Sequence, residues 1–415
     1  MSTLRNRARR HGGFSLIELL VSMVIALVVT LAISSVMIRS EGGKRTTTSV
    51  NDVNQTALYL SYMLDRTIRN AGSGFSQRWK DAYGCVLDAS KAGAAIMPAA
   101  AAWPSPFNNM PQALRLAPVL VAKGLADGGG QVRGDVITVM AGTSGNADMP
   151  QLVRPASVIP GAPSTLRVTN TLGYDNSDLV LLADQGVGAG CMLQQVAPTN
   201  GVNGDQLTFT GGDYSRNNGS VVNLGAFGGS TYAFQIGTIP GNAPQFQMIA
   251  VGDNSTLTSL DLLRQGAVGT TPAATATPIA DGVIEMRALY GIDTSAVPDN
   301  VIDAWIDPVA GSGYSFAELT AGTPAAQTSI RRIVAVKMGF ILRTSTQERV
   351  NDRYYGQYAA NFNPAGLPST TITLFSDLPA ALRQTRTIVG ADNLYRYRTV
   401  EFTVPLRNSL YAPVQ

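Results

Sequence analysis

The chain has 415 residues, with 31 Lys+Arg, 28 Asp+Glu, one His and two Cys; 14% are charged and 45% hydrophobic. That length can bury a large core and carries a prior of two to three domains, while the apolar content excludes a disordered chain. Low charge combined with 42 Gly and frequent Asn and Thr points to an extracellular or periplasmic β protein rather than a cytosolic enzyme.

The first element is a basic head, MSTLRNRARRHGG, followed by an apolar run. Leu19–Ile38 carries no charge, and at about 1.5 Å rise per residue it spans the roughly 30 Å hydrocarbon core as a helix. Arg5, Arg7, Arg9 and Arg10 before it favour an N-in, C-out orientation. A secretory signal, a plain signal anchor and a buried core helix are the ordinary readings of such a run. The run is too long for a secretory signal and no A-x-A-like site follows it, and a core helix does not sit behind four arginines at an extreme N-terminus. A plain anchor leaves one residue unexplained. Glu18 is a carboxylate at the start of the apolar run, where an acid is costly and marks a functional position with a partner.

Taken together, GGFSLIELLVSMVIALVVT resembles the signal of type IV prepilins and pseudopilins. The resemblance implies cleavage after Gly13 by a prepilin peptidase, N-methylation of the new terminal residue Phe14, and retention of the apolar helix. It also places Glu18 at the fifth mature position, where the family uses a Glu to pair with the terminal amine of a neighbouring subunit. An unpaired charge in an apolar bundle is strongly disfavoured, so one such pair makes helix registry directional. Removal of the head takes away His11, the only histidine, which excludes Ser/His/Asp and Cys/His catalysis and imidazole zinc sites from what remains. It also lowers the net charge from +3 to −1, so no stable nucleic-acid complex is expected.

Beyond the apolar run, Ser40-Glu41-Gly42-Gly43-Lys44 predicts a kink or melted turn, since each glycine costs about 1 kcal/mol in a helix interior. Helical periodicity resumes at Val50, Val53, Ala57, Leu60, Leu64, Ile68 and Ala71 and ends at Gly72 as a C-cap. This face reads as core contact. Predicted strands follow at Val136–Met140, Leu179–Ala183, Met192–Val196, Gln206–Thr210, Tyr232–Ile236, Phe246–Val251, Val283–Tyr290, Ile333–Arg343 and Arg398–Leu406. Ala92–Pro106 and Thr270–Pro278 read as loops or insertions. The expected fold is α+β and pilin-like: a long N-terminal hydrophobic helix on a mainly antiparallel sheet head with large loop insertions. The expected division is a leader at 1–13, a helix at 14–72 with its membrane span at 19–38, and a head at 73–415.

Several segments then resemble, in order, the PilW family of type IV pilus minor pilins: RNAGSGF at Arg69–Phe75, GDVITV at Gly134–Val139 and DLVLLAD at Asp178–Asp184. IADGVIEMRALYGIDT at Ile279–Thr294, RRIVAVKMGFILR at Arg331–Arg343 and YRYRTVEFTVPLRN at Tyr395–Asn408 complete the series. The family tends to place cysteines near the first and third of these segments, and Cys85 and Cys191 lie at stretched spacings from them. In an exported chain two cysteines favour a disulfide, two free thiols being the alternative. A Cys85–Cys191 bridge would close a loop of about 100 residues and contribute up to about 4.7 kcal/mol by chain entropy.

Other chemistry is sparse. Gly43-Lys44 lacks the rest of a phosphate-binding loop, GVGAG at Gly186–Gly190 reads as a turn, and no nucleophile elbow is present. Asp293, Asp299 and Asp303 do not match a calcium-loop spacing and read as a solvated loop rather than a Ca²⁺ site. Trp79, Tyr83, Trp103 and Phe107 form either buried packing or an exposed patch for a partner, the former being the commoner use of aromatics. No metal, cofactor or enzymatic activity is expected. The resemblance implies a minor pilin held in the inner membrane with its head in the periplasm, then carried on a cell-surface pilus at or near the tip. It would work with other minor pilins and the major pilin in priming assembly, and so in adhesion, twitching motility or DNA uptake. The alternatives are a type II secretion minor pseudopilin and a membrane-tethered surface-binding adhesin with a pilin-like anchor.

Overall fold

The computed structural model describes residues 15–128, 131–143, 149–159, 162–184, 190–197, 204–209, 212–215, 230–347, 370–389 and 395–411. Its contacts divide the chain into Met1–Asp52 and Val53–Gln415, and one unbroken helix, Leu16–Arg69, crosses that division. Ser15 starts the helix, its Oγ accepting the Glu18 N–H at 3.3 Å as an N-cap does. The melted turn that Ser40–Lys44 was expected to allow is absent, since the helix runs unbroken through it. Two glycines cost about 1 kcal/mol each, whereas interrupting the helix would give up ladder hydrogen bonds and require a second nucleation. Thr47 Oγ1 also donates back to Gly43 O at 3.0 Å, and no atom within 4 Å of a Cβ at Gly43 demands a glycine there.

Val53, Ala57, Leu60, Leu64, Ile68 and Ala71 of the predicted stripe are buried, and Val50 is only partly so. The helix stops at Arg69, three residues before the expected cap. Gly72 follows with φ +80°, and its N–H donates to Met140 O at 2.9 Å, turning the chain into the sheet. A Cβ there would crowd both Ser76 Oγ and the Pro118 ring, so the position needs glycine for space as well as for φ.

Every predicted strand is present among the described residues, with ends shifted by at most two positions. They belong to an eight-stranded, a five-stranded and a four-stranded sheet. Pairing is antiparallel throughout these sheets except between Val86–Lys91 and Gly190–Gln195. Strand Asp178–Ala183 shows why its sequence is continuously apolar: Leu179, Leu181 and Ala183 enter the main core, while Val180 and Leu182 enter a second cluster on the opposite face. The four-stranded sheet sets Val283–Ile292 beside Ile333–Arg343, which pairs in turn with Tyr397–Pro405. A hairpin of Thr370–Leu374 and Gln384–Ile388 covers its second face through Ile372, Leu374 and Phe375.

Several strands were not legible. Part of the expected loop Ala92–Pro106 is in fact strand Ala94–Met97, paired with Val86–Lys91 across Ala92-Gly93. Both turn residues have positive φ, 46° and 80°, as a two-residue hairpin turn requires, but Ala in place of the usual Asn hides the signal. Gln151–Ile159 and Ala162–Val168 each contain a proline, which argues against a strand. The first of them accommodates Pro155 at a register shift between Val153 and Val158. Most of Thr270–Pro278 is loop, and its last two residues open the edge strand Thr277–Asp281.

Candidate assembly site

Within the first unit, every residue from Ser15 to Ile38 is exposed, including all its large apolar side chains. Three hydroxyls of this run bond back to the helix's own carbonyls. Ser22 Oγ donates to Leu19 O at 2.9 Å, Thr30 Oγ1 to Ala26 O at 2.7 Å and Ser35 Oγ to Ala32 O at 2.8 Å. A helix with these hydroxyls turned back on its backbone and an unpacked apolar surface suits a lipid or helix-bundle environment. Glu18 lies in the first turn of this helix and is exposed. Gly13 and Phe14, the expected cleavage and methylation positions, lie outside the described residues.

In the second unit the C-terminal part of the helix is clasped by the last strand and the turn after it. Arg398 Nη1 bonds Asn54 Oδ1, and Asn408 Nδ2 donates to the carbonyls of Asn70 and Ala71, both at 3.0 Å. Asn408 thereby supplies donors to carbonyls at the helix end that have no intrahelical partner. Sequence reasoning gave it no role, although it closes the last of the family-like segments.

Two other family-like segments bind each other. Asp135, in GDVITV, donates its N–H to Met286 O at 2.9 Å, and its carboxylate accepts from Gly124 N and Ala288 N at 3.0 Å and from Arg287 Nη1 at 3.1 Å. Glu285 accepts from Arg287 Nε at 2.6 Å and from Arg386 Nη1 at 3.1 Å. Gly134 makes a parallel bridge to Met286 with φ +123°, and a Cβ there would collide with the Met286 carbonyl. A buried chain of charges, Asp135–Arg287–Glu285–Arg386, thus ties the five-stranded sheet, the four-stranded sheet and the hairpin.

Cys85 and Cys191 form a disulfide with Cα atoms 5.5 Å apart. It joins the two parallel strands, where Leu87 faces Cys191, and both cysteines are buried. The aromatic cluster is packing rather than a patch. Tyr83, Trp103 and Phe107 are buried and Trp79 partly so. Phe75 meets Tyr83 edge-on, and Tyr83 donates to Ser76 Oγ at 2.8 Å. Burial pushes the Tyr83 phenol up to about 12, so it remains a neutral donor at ordinary pH.

In the acidic loop Asp299 and Asp303 are exposed, as expected of a solvated loop, and Asp293 alone differs. Asp293 is fully buried, its carboxylate accepting from Ser295 N at 3.0 Å and Asn300 N at 2.7 Å. Asp303 accepts from Thr294 N at 2.7 Å and Thr294 Oγ1 at 3.0 Å, and these bonds hold its carboxyl below the usual range. Asp293 turns inward because backbone N–H groups of the loop need acceptors, which its carboxylate supplies. Among the described residues no three metal-ligating acids, cysteines or histidines come together. The glycines of GVGAG before Gly190 lie outside the described residues.

The prokaryotic N-terminal methylation motif matches residues 8–34, and the family model described as type IV pilus-assembly protein W matches residues 249–408. The chain is PilW-like, with a prepilin methylation signal. No curated protein and no solved structure matches it. The second match covers the four-stranded sheet, the hairpin and the Asn408 clasp, and the first covers the start of the exposed helix. Together they support a type IV pilus minor pilin; domains of this family are structural rather than enzymatic. The signal implies processing by a prepilin peptidase and assembly with other pilins, and the apolar helix behind it implies membrane anchoring before assembly.

Glu18→Gln provides a direct test of the assembly role. It is expected to leave the thermal midpoint of the head unchanged while lowering recovery in sheared fibres by about tenfold or more, because the terminal amine expected to pair with Glu18 would lose its counter-charge. Quantitative immunoblotting of fibre and membrane fractions measures this, and equal recovery would remove Glu18 from assembly.

Proposed function

We propose that the chain primes assembly of a type IV pilus and is carried at or near its tip. Cleavage between Gly13 and Phe14 and methylation of Phe14 release a mature helix whose exposed apolar half packs among the helices of other minor pilins and the major pilin. Glu18 pairs with a neighbouring N-terminal amine and sets the register. The head then stands in the periplasm before assembly and on the cell surface afterwards, where it contributes to adhesion, twitching motility or DNA uptake.

The observation that carries this reading is the methylation motif at residues 8–34 leading directly into a helix that is apolar and unpacked in its first part and buried in its last. The PilW match over residues 249–408 favours the pilus over a secretion pseudopilin. Intact-mass analysis of protein from membranes and from sheared fibres tests it. The wild-type chain is expected to begin at methylated Phe14 and to occur in fibres. Gly13→Ala is expected to keep Met1–Gly13, remain in the membrane and vanish from the fibre fraction. A stable wild-type chain that retains its leader or never enters fibres would end the pilin reading.

A further inference from the structure

The side chain of Lys91 is fully enclosed, and the assembly role makes no use of it. Lys91 ends strand Val86–Lys91, immediately before the Ala92-Gly93 turn, and its Nζ donates to Arg264 O at 3.0 Å. Asp213 stands beside it, with Oδ2 3.6 Å from Nζ and a side chain only 5% exposed. Three parts of the chain hold Asp213 in that place. Ala92 N donates to Asp213 O at 2.8 Å, Gly269 N donates to Asp213 Oδ1 at 2.8 Å, and Asp213 N donates to Gln195 Oε1 at 2.6 Å.

As an ion pair this contact is poor. Asp213 Oδ2 is enclosed and accepts no hydrogen bond, and its 3.6 Å separation from Nζ is too long for one. Opposite charges buried without hydrogen bonds to satisfy them are costly. The Tyr214 ring lies with its centroid 5.4 Å from Nζ, and Asp261 interacts electrostatically with both Lys91 and Tyr214. Asp261 is itself fixed, accepting from Leu263 N at 3.0 Å and from Gln265 N at 2.6 Å. Burial pushes its carboxyl up, so it exchanges protons nearer neutral pH than a surface acid does. A desolvated amine held against one carboxyl, with a second at hand, is a setting in which lysine acts as a nucleophile.

We propose that Lys91 and Asp213 become joined by an isopeptide bond once the head has folded. The Lys91 ammonium gives a proton to the Asp213 carboxylate, leaving a neutral amine and a neutral acid. Nζ then bonds to Asp213 Cγ while the bond from Cγ to its hydroxyl oxygen breaks. That hydroxyl leaves as water, with a proton from Nζ carried across by Asp261. Nothing is oxidised or reduced, and the products are one amide and one water. Holding the two groups together supplies the proximity that the same reaction lacks in solution, and enclosure protects the product from hydrolysis. The amide is neutral, so two buried charges disappear. Cys85 precedes this strand and Lys91 ends it, so Val86–Lys91 is tied covalently at both ends, to Cys191 and to Asp213. The second tie survives reduction, and it does not depend on entry into a pilus.

The test is mass spectrometry of the purified full chain after reduction with dithiothreitol. The wild type is expected to be one water lighter than its sequence, allowing for leader removal and methylation. Its tryptic digest is expected to contain a branched peptide joining the stretch around Lys91 to the stretch around Asp213. Lys91→Met is expected to keep its full mass, and Asp213→Ala decides the matter if that variant does not fold. Asp261→Asn is expected to slow formation of the bond by about tenfold or more, read from the linked fraction at successive times after a burst of synthesis. A wild type at full mass without the branched peptide, which is the result for an ordinary ion pair, overturns the inference. Loss of water that persists in folded Lys91→Met or Asp213→Ala overturns it too, and an unchanged rate in folded Asp261→Asn overturns the proton path.

Discussion

Glu285→Ala is expected to destabilise the head by about 3–5 kcal/mol, the cost of removing one partner from a buried ion network and leaving the other without compensation. The carboxylate is buried and bonded to Arg287 at 2.6 Å and to Arg386 at 3.1 Å. Arg287 keeps Asp135 at 3.1 Å, so the network does not lose all its balance, but one buried guanidinium edge loses its acceptor. Arg386→Ala is expected to cost about 1 kcal/mol or less, because that side chain is partly solvated and water replaces part of what it gives up. Urea unfolding of the full chain in micelles, followed by near-ultraviolet circular dichroism, separates the two. A Glu285→Ala loss within about 0.5 kcal/mol, the range of ordinary surface substitutions, would show that the network does not hold the sheets together.

Loss of the Cys85–Cys191 bridge is the second large effect. The cysteines are 106 positions apart in sequence, and cutting such a link releases a long loop in the unfolded chain. The Cys85→Ser, Cys191→Ser double variant is expected to lose about 2–5 kcal/mol, read as a lower urea midpoint with an altered slope. The double variant is preferred because a single substitution leaves a reactive thiol. Reduction of the wild type by dithiothreitol should reproduce most of the shift. The bridge fastens the parallel strand pair of the eight-stranded sheet, an orientation that a short hairpin cannot make. An unchanged midpoint would mean that strand pairing alone holds this edge.

The core strands were legible because their burial is written in local pattern. Asp178–Ala183 and Ile333–Arg343 are apolar on both faces, and both faces are covered. The helix stripe from Val53 to Ala71 was legible through its spacing of three and four. The strands that were missed carry misleading local chemistry: Pro155 and Pro163 inside two of them, and Ala92 where a hairpin turn usually places Asn. The glycine pair at Gly42-Gly43 misled in the other direction, since a local penalty of about 1 kcal/mol per residue did not overcome the cooperativity of a 54-residue helix.

The N-terminal signal, Glu18 at the head of an apolar run, and the change from helical to strand periodicity near Gly72 all follow from the sequence alone. Each depends on residues within a few positions of one another. The closeness of Cys85 to Cys191, the grip of Asn408 on the end of the helix, the inward turn of Asp293 and the meeting of Lys91 with Asp213 were decided only by tertiary structure. These contacts join segments whose register is set by sheet order and by which faces the core covers. No local pattern encodes that register, because it is fixed by the free energy of burying all the faces together.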